Sequence, residues 1–343
     1  MNEVDILEKL VSFNTINDKD NKQIIDFIEE YLKEYNFKTI YKTKALVMIN
    51  AKENEEVGIG FLGHTDTVGG ENWDYDMFSL TKEGDKLIGL GACDMKGGIA
   101  SILYAISKID FSSLTKKMMC IFTYDEEIGF SGIKEIVSQN INMPKRVIIG
   151  EPTNNEASIG SKGLLEFEVT FKGKKVHSSV PFKGKSAIMD AVGFINKLNS
   201  FYEEKIKPIR NEDFDVPFTT FNVGLIEGGE GINSVAENAK IFFDFRTIDK
   251  NEDDIVEFVK NLAKKYNASL KEVSNIKAFK CNVDLFDSIN ISPFITEASF
   301  IEGERIILGP GPINAHEKNE YITTDSFKKT IDQYIDIIKK TCK

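Results

Sequence analysis

The sequence predicts an α/β protein, a mixed, largely parallel sheet flanked by helices, with an α+β unit inserted into it. Three features of the chain predict this. Short apolar runs alternate with helix-spaced segments over the first 150 residues or so. From about residue 162 the strands become strongly alternating, and after about 277 short apolar pieces and a last amphipathic helix return.

Apolar residues at helical spacing predict helices over 4–13 (Val4, Leu7, Leu10, Val11) and 22–33 (Ile24, Ile25, Ile28, Tyr31, Leu32). ALVMI at 45–49, VGIGFL at 57–62, MMCIFTY at 118–124 and RVIIG at 146–150 are short, apolar and abruptly ended. That is the pattern of strands buried on both faces. Helices are expected between them at 96–109 and 130–139. LLEFEVTFKG at 164–173 and KIFFDFRT at 240–247 alternate, as strands with one wet face do. FTTFNVGL at 218–225 is a further strand, and helices fit 186–201, 252–266 and 324–340. The reading is one domain from 1–161 and 277–343, with 162–276 inserted. Periodicity carries the change of texture, not the insertion itself.

At 343 residues the chain is long enough for two cores. Its 43 Lys+Arg against 54 Asp+Glu leave a net charge of −11, which argues against a nucleic-acid partner. No apolar stretch approaches the roughly 18 residues that span a bilayer. The start, MNEVDILEKLV, lacks the basic-then-apolar layout of a signal peptide. Cys93, Cys120, Cys281 and Cys342 show no CxxC pairing, so a reducing cytoplasm is expected.

Several motifs are decoys. GIGFLG at 58–63 matches a dinucleotide fingerprint by letters, but its glycines sit inside an apolar run and no helix opens there. GKS at 184–186 lacks the earlier P-loop glycine, since position 179 is Ser. His316-Glu317 is no zincin helix, because position 320 is Glu, and no GxSxG elbow occurs.

Five segments instead place His or carboxylate where an apolar run stops: GHTDTV (63–68), GLGACDMKGG (89–98), TYDEEIG (123–129), IGEPT (149–153) and INAHEKNEY (313–321). Ligands of open α/β sheets sit beyond the carboxyl ends of the strands. Carboxylates gathered there repel one another unless a cation joins them. Imidazoles with carboxylates form the mixed donor set that suits zinc and its neighbours. Any one segment alone also describes an ordinary turn or a solvated acidic run. Their joint occurrence, using two of only three histidines, favours a metal-assisted hydrolase. His177 in VHSSVP, taken alone, is more often an incidental histidine on a polar strand end. Arg246 in FFDFRT, one of four arginines, reads equally as a surface ion pair.

In this order, over nearly the whole chain, the segments resemble the metallopeptidase family of aminoacylase, carboxypeptidase G, acetylornithine deacetylase and succinyl-diaminopimelate desuccinylase. The resemblance implies a zinc-exopeptidase-like catalytic domain, an inserted lid and dimerisation domain, and two zinc ions per subunit that cobalt can replace. It assigns His64, Asp94 and Glu151 to one ion and Asp94, Glu127 and His316 to the other, with Asp94 bridging. Asp66 would orient His64, and Glu126 would be the general base for attack of a metal-bridging hydroxide on an amide carbonyl. His177 would stabilise the oxyanion in the partner's active site, which implies a homodimer. Arg246 would grip the substrate's α-carboxylate, and Asn233 of GGEGINSV matches a position near the site.

The acetylornithine deacetylase branch is nearest, through TEASF at 296–300 and LGPGPINAHEKNEY at 308–321. The implied substrate is a small N-acyl amino acid. Desuccinylase, dipeptidase and aminoacylase activities share the scaffold, and a non-catalytic metal-binding relative is the reading of a different class. Intact Glu126 stands against the last. Residues 277–300 are compressed relative to the family. Cys93, next to Asp94, is expected to face away from the metal and to be structural.

Overall fold

The computed structural model describes residues 1–16, 21–50, 56–214, 216–248, 250–286 and 290–343. The described residues form two compact units. One comprises Met1–Gly160, Cys281–Asn290 and Thr296–Lys343, the other Ser161–Lys280 and Ile291–Ile295. Residues 291–295 thus join the second unit although no sequence break marks them. Within the compressed 277–300 stretch, 287–289 lie outside the described residues.

The first unit opens with α1 (Glu3–Val11), capped by the Asn2 side chain on the Asp5 N–H, and α2 (Lys22–Lys33). Strands β1 (Phe37–Lys42), β2 (Leu46–Asn50) and β3 (Val57–His64) follow. A small ribbon, β4 (Thr81–Glu83) and β5 (Lys86–Ile88), precedes α3 (Lys96–Ser107). Then come β6 (Lys117–Thr123), α4 (Ser131–Ser138), β7 (Arg146–Ile149) and β8 (Ser158–Ser161).

The second unit contributes β9 (Gly163–Lys172), α5 (Ala187–Phe201), β10 (Thr220–Gly228), β11 (Asn238–Thr247), α6 (Glu252–Tyr266) and β12 (Ser269–Ile276). The chain then returns to the first unit with β13 (Glu304–Ile307), β14 (Tyr321–Thr323) and α7 (Thr324–Thr341).

The main sheet of the first unit runs β1-β2-β6-β3-β7-β13-β8. Its central block, β6-β3-β7-β13, is parallel, with Leu62 opposite both Ile121 and Ile149 and Ile307 opposite Ile149. The outer pairings are antiparallel. The central strands are buried at nearly every consecutive position, which explains their unbroken apolar runs. Helix α3 is buried almost all round and packs with α1 and α7. Because β6, β3, β7 and β13 are parallel, their carboxyl ends share one edge of the sheet.

The second unit has an antiparallel sheet in the order β10-β11-β9-β12. Alternate residues of β9 and β11, including Phe167 opposite Phe243, face a core completed by Phe194 and Leu198 of α5 and Ile255 and Val259 of α6. The other alternates remain half-buried, which is the period-2 pattern of the sequence.

Candidate metal centre

Every residue of the cluster below lies in the first unit. His64 is the last residue of β3, and the Glu126–Glu127 pair follows β6 by three residues. Glu151 follows β7 by two, and His316 lies in the loop after β13. Asp94 sits in the turn that leads into α3. Asp125 (φ 58°) and His316 (φ 63°) hold left-handed backbone, an uncommon conformation outside glycine that recurs at functional sites.

The side chains converge around Asp94. Its Oδ1 lies 3.0 Å from His64 Nε2, and its Oδ2 lies 3.6 Å from His316 Nε2. Glu151 Oε1 is 3.5 Å from His64 Nε2, and Glu127 Oε2 is 3.0 Å from His316 Nε2. One carboxylate therefore stands between two imidazole–carboxylate pairs. His64, Glu126 and Glu151 offer ligand atoms within 4.8 Å of one another, as do His64, Asp94 and Glu127.

Asp66 ties two of these loops together. Its Oδ2 accepts the Glu127 N–H at 3.1 Å, and its Oδ1, 3.5 Å from His64 Nδ1, is buried without a hydrogen-bond partner. The backbone oxygen of Asp66 lies 3.0 Å from the same ring nitrogen.

The electrostatics show what the cluster requires. Burial, then the charges of Glu151, Asp94 and Glu127, push Glu126 well above the usual carboxylate range. Burial and the neighbouring Asp94 raise Glu151 to about 8. Burial would depress His64, but Glu151, Asp66 and Asp94 outweigh it and raise the imidazole. The hydrogen bond to Glu127 lifts His316 to about 9. Protons are thus drawn to Glu126 and Glu151 as well as to both imidazoles, while at Asp94 burial is outweighed by the hydrogen bond and charge of His64, which keep it below the usual range. A cation relieves all of these at once. The donor set, the bridging place of Asp94 and the orphaned Asp66 oxygen all fit metal ions held by nitrogen and oxygen ligands.

Residues 60–340 match the model of peptidase family M20/M25/M40. The chain belongs to that family. It is accordingly a metal-dependent hydrolase of amide bonds. It is similar to an acetylornithine deacetylase of Buchnera aphidicola subsp. Schizaphis graminum, 31% identical over 99% of this chain and 98% of the relative. Its fold is that of the aminopeptidase PepT from Bacillus cereus, with TM-score 0.81, 21% identity and coverage of 99% and 98% of the two chains. A metallo-carboxypeptidase of this family from Sulfolobus solfataricus gives TM-score 0.81 at 18% identity, over 99% of both chains.

The family site has support that sequence reading missed. Glu320, buried, accepts the N–H of Cys93 at 3.1 Å and of Asp94 at 3.4 Å through one oxygen, and so holds the backbone beneath the central carboxylate. Lys96 is fully buried, donates to Phe13 O at 2.9 Å, and is pushed by burial down to about 7. Glu297, also fully buried, accepts from Thr123 Oγ1 at 2.7 Å at the end of β6. All three lie within segments quoted above, GLGACDMKGG, TEASF and INAHEKNEY, but their spacing gives no signal for these roles. Position 320 is singled out there only as the absent second His of a zincin. The Cys93 thiol is buried and donates to Pro312 O at 3.4 Å, in a structural setting.

His177, Asn233 and Arg246 belong to the second unit. His177 is exposed, with Nδ1 2.8 Å from Ser179 Oγ, and the next residue, Ser178, donates its N–H to Asn233 O at 2.9 Å. Those two loops are therefore neighbours. Arg246 lies near the end of β11 with Nε 3.5 Å from Asp244 Oδ1.

Proposed function

We propose that the chain is an N-acyl-amino-acid deacylase that converts N-acetyl-L-ornithine and water to ornithine and acetate. The observation that carries this reading is Asp94, placed between the His64–Glu151 and His316–Glu127 pairs as a carboxylate shared by two cations would be. His64, Asp94 and Glu151 would hold one ion and Asp94, Glu127 and His316 the other. Zinc, with cobalt able to substitute, would when bound supply an ionisable water at neutral pH and a positive field for the developing oxyanion.

The remaining steps belong to the chain's own side chains. Asp66 holds the His64 ring through Nδ1, so that Nε2 faces the ligand space. Glu126, buried and raised, takes the proton of the attacking water and returns it to the leaving nitrogen; its raised affinity suits a group that must hold a proton between the two steps. His177 acts in the partner's active site of a homodimer to stabilise the oxyanion, Arg246 holds the α-carboxylate and Asn233 flanks them. In this reading 1–161 with 277–343 is the catalytic domain and 162–276 the lid and dimerisation domain. The enzyme works in the cytoplasm, in arginine biosynthesis.

The substrate is supported by the full-length similarity to acetylornithine deacetylases. The test is kcat/KM of zinc-loaded protein for N-acetyl-L-ornithine against N-succinyl-L,L-diaminopimelate. A clear preference for the acetyl substrate is expected. Preference for the succinyl substrate would keep the amide chemistry and overturn the substrate.

A further inference from the structure

Of the five candidate metal ligands, His316 is the one that burial does least to hold. Its side chain is 51% exposed, against 14% or less for the other four. It stands on the loop 315–320, in which both His316 (φ 63°) and Asn319 (φ 58°) have left-handed backbone. Asn tolerates that conformation, but His keeps it only where its surroundings impose it. The base of the loop is closed by Asn314, whose Oδ1 accepts the Tyr321 N–H at 2.9 Å and whose Nδ2 donates to Tyr321 O at 3.0 Å. The tip is held from elsewhere, by Asp74 in the loop between β3 and β4. Asp74 donates its N–H to Asn319 Oδ1 at 3.0 Å, and its Oδ2 accepts from Asn319 Nδ2 at 2.7 Å. Its Oδ1 pairs with Lys318 Nζ at 2.7 Å. Both loops belong to the first unit.

As an ion pair this clamp adds little to stability, because Asp74 and Lys318 are both largely exposed. What it fixes is a shape. Asn319 lies three residues from His316, so a partner that holds both its side chain and its backbone turn also holds the turn on which the imidazole stands. A ligand on a loop that the ion must first order loses binding free energy to that ordering, and a loop ordered beforehand does not. We propose that Asp74 is a positioning residue for the second cation: by clamping Asn319 and Lys318 it keeps the His316 loop in its ligand-ready form and so sets the affinity of the Asp94–Glu127–His316 site. The inference rests on the two-ion reading above and adds to it a residue that touches neither ion.

The test is a titration of zinc into chelator-stripped protein, in competition with a chromophoric zinc chelator. The binding step that belongs to this site is the one that His316→Ala abolishes. In Asp74→Ala that step should weaken about tenfold, the lower end of what outer partners of metal ligands contribute, while the other step stays within about twofold of wild type. Asp74→Asn keeps an oxygen for Asn319 and loses only the charge, so it should recover most of the affinity. Asp74 is exposed, so both variants should fold, and matching melting curves of the stripped proteins verify this. Equal weakening of both steps would make Asp74 a general structural residue, and an unchanged His316 step would leave the clamp without effect on the ion. Either result overturns the proposal while the two-ion reading stands. Wild-type protein that takes up fewer than two equivalents of zinc would instead fail the two-ion reading, and the proposal with it.

Discussion

Asp66 shows how much one side chain settles at this site. Its two oxygens face His64 and the Glu127 N–H, so the loop after β3 and the loop after β6 are set by one carboxylate. Burial would raise its pKa, yet the hydrogen bond and charge of His64 outweigh burial and keep it ionised. Glu126, one residue from a ligand candidate, has the opposite environment and holds a proton readily. Replacing Glu126 by Gln keeps the shape and removes the base, so zinc uptake by calorimetry should persist while kcat drops by about 10²–10⁴-fold. Loss of zinc uptake instead would make Glu126 a ligand. Glu297 gives a pH prediction. Burial raises its carboxyl to about 8 from an ordinary 4.5. Between those values the folded chain holds a proton that the unfolded chain has released, so stability falls as pH rises through the window. Glu297→Gln removes this term. Its Tm advantage over wild type should be larger at pH 8.5 than at pH 5, and an advantage independent of pH would refute the assignment. The histidines and strand-end acids were legible because scarce residue types stood where apolar runs stop. Glu297 and Glu320 were not, because one buried acid has no period or partner in sequence.

At the scale of elements, the site exists because four parallel strands end on one edge and α3 starts close to it. The closeness depends on glycine. A Cβ at Gly98 would lie 1.9 Å from Gly150 O, and one at Gly97 would lie 2.3 Å from Ala92 O. The first contact places the helix that follows Asp94 directly against the strand end that precedes Glu151. Gly98→Ala is therefore expected to cost about 1–3 kcal/mol or more by overpacking, read as a lowered Tm, and to weaken zinc binding along with it. Unchanged stability and metal affinity would show that the backbones separate freely there. The buried strands β3, β6 and β7 and the amphipathic helices were legible in the sequence because burial on both faces or along one stripe leaves a pattern. Strand β12, exposed at most positions, and the three-residue β4 and β5 leave none.

At the scale of the whole molecule, the first unit is assembled from both ends of the chain, and the complete set of ligand candidates lies within it. Periodicity alone could show that the texture changes near 162 but not that the chain comes back, since return is a property of contacts. Among the described residues no helix is long and apolar enough to cross a membrane. The central claim is that the His and acid cluster is a two-cation centre for amide hydrolysis. Its most direct test is the rate of acetate release from N-acetyl-L-ornithine as zinc is added stepwise to protein stripped with a chelator. The rate should be negligible without zinc and should rise to a plateau complete at two equivalents per chain. A rate that is undiminished by stripping, or zinc saturation with no acetate released, would contradict it.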